Sequence, residues 1–182
     1  MNTHLTKSMS TGLKSRSAGF TLVELMIGIV LLALLSAIAM PSYNAWMQNT
    51  QIRATSESIL NGLQRARAEA VKRNISVEFV LGANSAWIVQ VPGVEVIESK
   101  PSTGTTVSNI VQPAGATTIT YDNFGNVAPL GNADGSPMVS QFDLDSTTLA
   151  AGESTPLRVM IGAGGSAKMC DPHAPAGSSR AC

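Results

Sequence analysis

Residues 20–40 read FTLVELMIGIVLLALLSAIAM, and within them Glu24 is the only ionisable side chain. As a helix this run extends about 31 Å, the thickness of a bilayer's hydrocarbon core. Lys7, Lys14 and Arg16 precede it, and no further basic residue occurs until Arg53. A positive flank stays on the cytoplasmic side, so everything from Pro41 onward is expected on the far side of the inner membrane. A plain anchor leaves Glu24 unexplained, because a carboxylate in hydrocarbon costs about 2.5–3.5 kcal/mol even on lenient insertion scales. A cleaved secretory signal has a small-x-small site in Ala37-Ile38-Ala39, but its apolar region would then contain the same acid.

A third reading rests on Gly19-Phe20-Thr21-Leu22-Val23-Glu24. Together with the basic leader and the apolar run, this segment resembles the processing site of type IV prepilins and type II secretion pseudopilins. The resemblance implies that a prepilin peptidase cuts between Gly19 and Phe20 and that the new amine on Phe20 is methylated. Pro41 stands where many pilins carry a helix-bending proline. An α-amine on Phe20, with a reference pKa near 8, is mostly cationic at neutral pH. Glu24 is the only anion available to balance it, and pairing offsets much of the desolvation of both ions. In a filament, the family implies, that pair forms between adjacent subunits.

Beyond Pro41 the helix is expected to kink rather than stop and to continue to about residue 74. Tyr43, Trp46 and Met47 cluster at helical spacing. Ile52, Ile59, Leu63, Ala66 and Ala70 follow a three-four rhythm, with Arg53, Glu57, Arg65, Arg67 and Glu69 mostly off that stripe. Such a stripe is expected to pack on the protein's own sheet. Arg65, Arg67, Lys72 and Arg73 form a short basic run. It is read as a solvated face whose cations complement the helix C-terminus, in preference to a phosphate-binding patch.

The 182 residues carry twelve bases and twelve acids, yet residues 1–19 alone hold three bases and no acid, leaving the remainder at −3. That balance excludes a generally basic nucleic-acid binder, and 44% hydrophobic content excludes a disordered chain. Ten of the 16 glycines fall between Gly93 and Gly165, the spacing of short strands and turns. Strands are expected at Ser76–Leu81, Trp87–Val91, Val94–Glu98, Thr105–Val111, Thr117–Tyr121, Val139–Leu144, Leu157–Ile161 and Ala167–Cys170. The loops Pro113–Ala116, Gly131–Pro137 and Ala150–Pro156 are expected to be exposed. Two cysteines, Cys170 and Cys182, lie in the translocated part, where an even count favours a disulfide. A metal site joining them to His173 lacks the usual four spaced ligands.

Ile119-Thr120-Tyr121-Asp122-Asn123-Phe124-Gly125, Arg158-Val159-Met160-Ile161 and Met169-Cys170-Asp171-Pro172, with Cys182 after them, resemble the FimT/FimU-type minor pilins, which share a domain with the GspH pseudopilins. The resemblance implies a head of two β-sheets near the helix end and a role in an initiating complex that stays near the filament tip. Some relatives bind DNA through tail arginines. Here the tail offers Lys168, His173 and Arg180, and Ser178-Ser179-Arg180-Ala181 departs from a paired-arginine pattern. DNA uptake therefore ranks second, since affinity follows the number of phosphates neutralised.

Enzymatic readings find little support. His4 and His173 are the only histidines. Gly162–Ala167 fits a dinucleotide glycine pattern, but Cys170-Asp171-Pro172 follows at once where a helix would be required, so a β-turn is expected. Asp143, Asp145 and Glu153 lack the spacing of a calcium loop and are read as exposed carboxylates.

The expectation is an α+β protein, a long transmembrane N-terminal helix followed by a sandwich-like antiparallel head. Its parts are a leader over 1–19, a membrane and filament-core helix over 20–40, an amphipathic continuation over 41–74 and the head over 75–182. No cofactor, no metal and no catalysis are expected. Expected partners are other pilins or pseudopilins, the prepilin peptidase, an inner-membrane assembly platform and lipid before assembly. The head is periplasmic first, then in a pilus or a pseudopilus, which the anchor chemistry does not separate.

Overall fold

The computed structural model describes residues 19–102 and 106–182. The basic leader with Lys7, Lys14 and Arg16, and Thr105 at the start of one expected strand, lie outside the described residues. The fold divides into two compact units that part between Met40 and Pro41. A single helical element, α1 (Leu22–Arg73), includes Pro41 in its interior, so the helix does not end at the proline.

The first unit is the apolar part of α1. It is long and apolar enough to cross a membrane, and none of its most apolar stretch is buried within the chain. Its one mid-run hydroxyl, Ser36 Oγ, donates to the Leu32 carbonyl at 2.7 Å. That bond satisfies the polar group within the helix itself, as hydrocarbon requires.

The second unit begins with α1 from Pro41 and continues as eight strands: β1 (Val77–Leu81), β2 (Trp87–Val91), β3 (Glu95–Lys100), β4 (Val107–Gln112), β5 (Thr118–Tyr121), β6 (Gln141–Ser146), β7 (Leu157–Ile161) and β8 (Ala167–Cys170). They form two four-stranded antiparallel sheets, ordered β3-β2-β1-β5 and β4-β6-β7-β8. The expected α+β architecture is thus what the chain adopts. Helix α1 closes on a left-handed residue, Asn74 at φ 57°. Asn74 N–H donates to the Val71 carbonyl and Ile75 N–H to the Ala70 carbonyl, both at 3.3 Å, so two otherwise unpaired carbonyls are capped.

Every third or fourth residue of the helix stripe, Ile52, Ile59, Leu63, Ala66 and Ala70, is fully buried in one core with Val77, Phe79, Val89, Ile119 and Tyr121 of the first sheet and Phe142, Leu144 and Val159 of the second. Phe79 joins the layers. Its ring lies 5.8 Å from Trp87 and 6.0 Å, edge-on, from Phe142. Its other neighbour is the helix at Gly62, where an added Cβ would stand 2.6 Å from Phe79 Cε2. Trp87 Nε1–H donates to Ser58 Oγ at 2.9 Å, so the one polar atom of that buried indole is satisfied.

Three expectations are corrected by packing. Glu69 is not off the stripe but buried, 1% exposed, because Arg65, Lys72 and Arg73 close over its carboxylate. Ala116 and Asn132 sit in two of the loops expected to be exposed, yet both are buried. Asn132 is held there because Thr120 Oγ1 donates to its Oδ1 at 2.9 Å while its Nδ2 donates to the Thr118 carbonyl at 3.1 Å.

Hydrogen bonding from Arg73 is the largest influence on Glu69, with Lys72 and Arg65 adding to it, and together they outweigh burial and hold its carboxyl below the usual range. A group whose folded-state pKa is depressed stabilises the fold above its unfolded-state pKa and loses that contribution as pH falls through the folded value. Acid unfolding followed by near-ultraviolet circular dichroism should therefore show Glu69→Gln less stable than wild type at pH 7, with the gap closing below about pH 4. Gly62→Ala should lower stability by about 1–2 kcal/mol, the overpacking cost against Phe79 less the gain in helix propensity. Urea unfolding measures it, and an unchanged midpoint would mean that Phe79 yields freely.

Candidate functional site

The candidate site residues expected from the sequence fall mainly at two places, the start of α1 and residues 168–182. At the start, Phe20 is 89% exposed and Thr21 caps the helix. Glu24 N–H donates to Thr21 Oγ1 at 3.2 Å, and Glu24 Oε2 accepts from both Thr21 N–H and Thr21 Oγ1–H at 3.2 Å. This reciprocal arrangement is a capping box, with Thr21 at the N-cap and Glu24 three residues on. Its carboxylate also lies in the first turn, where the helix dipole favours negative charge. Glu24 therefore has a local task besides the charge balance assigned to it, and the Thr-x-x-Glu spacing was the available signal. Gly19, directly upstream of Phe20, has open space around it.

At the end of the chain Cys170 and Cys182 form a disulfide, their Cα atoms 5.1 Å apart. The enclosed segment is a chain of turns. Asp171 Oδ1 accepts the His173 N–H at 2.8 Å, and Asp171 N–H donates to the Arg180 carbonyl at 2.7 Å. Asp171 also forms an isolated parallel bridge with Ala181, which ties the returning segment to the residue just after β8. Of the two residues considered for DNA contact, Arg180 belongs to this loop and Lys168 to β8. Arg180 lines a groove beside α1 that Lys168 does not reach.

The basic run of α1 is used within the fold. Arg65 bridges Glu69 and Glu98 at 3.3 and 3.2 Å, and Arg73 pairs with Glu69 at 2.7 Å and also with Glu95. Arg67 donates to the Gly125 carbonyl at 2.8 Å and the Gly164 carbonyl at 3.2 Å. The Gly162–Ser166 segment is a β-turn between β7 and β8, as its context demands. Gly165 has φ +73°, and a Cβ there would lie 2.0 Å from the Gly125 carbonyl oxygen, so only glycine lets the two turns touch under Arg67. Asp143 is taken by Arg158, whose Nη2–H donates to its Oδ2 at 3.2 Å, and Asp145 by Ser154. Asn49, unremarked in the sequence, holds the β6–β7 loop. Its Nδ2 donates to the Glu153 carbonyl and its Oδ1 accepts the Thr155 N–H, both at 2.8 Å.

An apolar stem with a methylation-type start, followed by a two-sheet head, defines a type IV pilin-like protein. Residues 14–40 match the prokaryotic N-terminal methylation motif, and residues 55–165, more than half the chain, match the type II transport protein GspH family. The chain belongs to that family. Type IV major fimbrial proteins FimA of Dichelobacter nodosus, one of them from strain VCS1703A, are 40% identical over 52 residues, which is 29% of this chain and 32% of theirs. The match thus spans about a third of the length of these curated relatives. The crystal structure of the type IV minor pilin FimU of Pseudomonas aeruginosa matches with a TM-score of 0.53 at 12% identity, over 68% of this chain and 91% of that one. At that identity the likeness is one of fold.

Replacing Cys170 and Cys182 together by serine should cost about 3 kcal/mol, the loop-closure entropy of so short a ring. Urea unfolding under non-reducing conditions measures it. A wild-type midpoint would show that the turns of residues 171–181 hold the segment unaided.

Proposed function

We propose that this chain is a prepilin-like structural subunit, cut by a prepilin peptidase between Gly19 and Phe20 and methylated on the Phe20 amine. It waits in the inner membrane with its head on the periplasmic side, and an assembly platform draws it into a filament. There it acts as a minor subunit of the initiating, tip-proximal complex.

The observation that carries this reading is the lone acid of the apolar run. Glu24 follows Phe20 by four residues, and its carboxylate is fixed at the head of the helix by Thr21. Cleavage adds a cation next to that anion, and in a filament the cation of one subunit and the anion of its neighbour neutralise one another away from water. The family match to a type II transport protein also favours a second reading, the same subunit in a secretion pseudopilus. DNA binding ranks below both, because Lys168 lies away from the Arg180 groove and a single arginine contacts few phosphates.

Intact-mass analysis of membrane-extracted protein should give a chain beginning at Phe20 and carrying one methyl group. Any other first residue would overturn the assignment. Glu24→Val should insert in the membrane yet fail to enter sheared filaments. Glu24→Gln separates the two tasks of the residue, since its amide oxygen still accepts from Thr21 but carries no charge. Its exclusion from filaments is the expected result. Wild-type incorporation would transfer the role from charge pairing to capping.

A further inference from the structure

The groove beside α1 has a volume of about 540 Å³. Trp46 and Arg53 of the helix form one wall and Asp171 and Arg180 of the disulfide loop another, with Leu157 and Met169 also lining it. Its charges are unlike the others of the head. Arg65, Arg73 and Arg158 are paired with carboxylates, Arg67 binds two carbonyls and Arg53 meets Glu57 at 2.9 Å. Arg180 alone, among the described arginines, has a guanidinium with no ion pair or hydrogen bond. Asp171 adjoins it through the backbone bond to the Arg180 carbonyl, yet the two side chains do not form an ion pair among the described residues. Among the described residues the groove therefore presents a free guanidinium and, close by, a carboxylate whose one hydrogen bond is accepted from the His173 N–H.

We propose that this groove receives the headgroup of a phosphatidylethanolamine, the phosphate on Arg180 with Arg53 in support and the ammonium on Asp171. The proposal rests on the membrane-stored subunit described above. Three observations select this occupant. Trp46 is 64% exposed, lies with its ring tilted 5.9 Å from that of Tyr43 and follows the apolar run by six residues. That is where aromatic rings mark the boundary between lipid and water. One free guanidinium matches one phosphodiester, whereas duplex DNA demands a row of cations. Asp171 opposes a purely anionic ligand but complements a zwitterion whose amine can donate hydrogen bonds. The apolar side chains of Leu157 and Met169 accommodate the glycerol end. Bound in this way, the headgroup ties the head to the bilayer until assembly removes it, and the disulfide, by fixing the Arg180 wall, keeps the site in shape.

Native mass spectrometry of the full chain in detergent, with dioleoyl phosphatidylethanolamine, phosphatidylglycerol or phosphatidylcholine added, tests this. Wild type should retain one phosphatidylethanolamine in preference to the other two. Arg180→Ala should weaken that retention about tenfold, as expected for losing a charge-assisted contact. Asp171→Asn, which keeps the acceptor for His173, should move the preference towards phosphatidylglycerol. The apolar stem is common to all variants and controls for nonspecific lipid. Equal retention of the three lipids, or wild-type retention in Arg180→Ala, would overturn the proposal. So would capture of a short DNA duplex that displaces the lipid, which would make the groove a nucleic-acid site. Failure of the membrane-stored reading would show differently, as a chain absent from the membrane fraction in wild type and variants alike.

Discussion

The ring of Phe79 is the point at which helix, first sheet and second sheet meet. It can approach α1 this closely because position 62 has no side chain, and from there it reaches Trp87 on its own sheet and Phe142 on the other. Close packing of this kind tolerates little change in volume. The burial of Ile59 and Leu63 on the helix, and of Leu144 and Val159 across from them, follows from the same approach distance. At the end of α1 the approach is fixed electrically. Glu69 is buried within a ring of three cations, two of which also reach Glu95 and Glu98 on β3. The carboxylate is the one buried charge of this cluster, and three partly exposed cations share its compensation, so losing any one of them leaves two in place.

The stem obeys a different constraint. Among the described residues its most apolar stretch is exposed, and in the subunit proposed above that surface would face lipid or neighbouring subunits. Polar groups survive there only if satisfied locally. Ser36 bonds back to its own helix, and Glu24 is held by the first turn. The head, by contrast, satisfies its polar groups across long sequence distances, as when Asn49 pins the loop at Glu153 and Thr155.

Much of this was legible in the residues. The apolar run, the helical stripe and the eight short β-rich segments each carry a local period, and local periods survive translation into structure. Strands β2, β7 and β8 fall where alternation and flanking turns place them, and the others shift by one or two residues at their ends. What escaped was long-range. Arg65, Lys72 and Arg73 stand four before, three after and four after Glu69, a spacing the sequence shows, but nothing local announces that Glu98 and Glu95 of β3 anchor two of them and that the carboxylate is buried. Asn132 reads as an ordinary turn residue, and its burial is satisfied by Thr118 and Thr120 on β5 together with Ser136 and Pro137 of its own loop. The capping box is local, and its Thr-x-x-Glu spacing is present in the sequence, but the same spacing also suits a Glu24 kept for charge balance, so the residues alone do not single out the cap.

That box has a bearing on processing itself. It is closed by Thr21 and Glu24 alone, so a scissile bond at Gly19 would lie just outside a helix that is already complete. Removing the leader would then leave the backbone of the stem undisturbed. Under the proposed processing, maturation would alter the electrostatics of the subunit at Phe20 and leave the helical turn closed by Thr21 and Glu24 as it is.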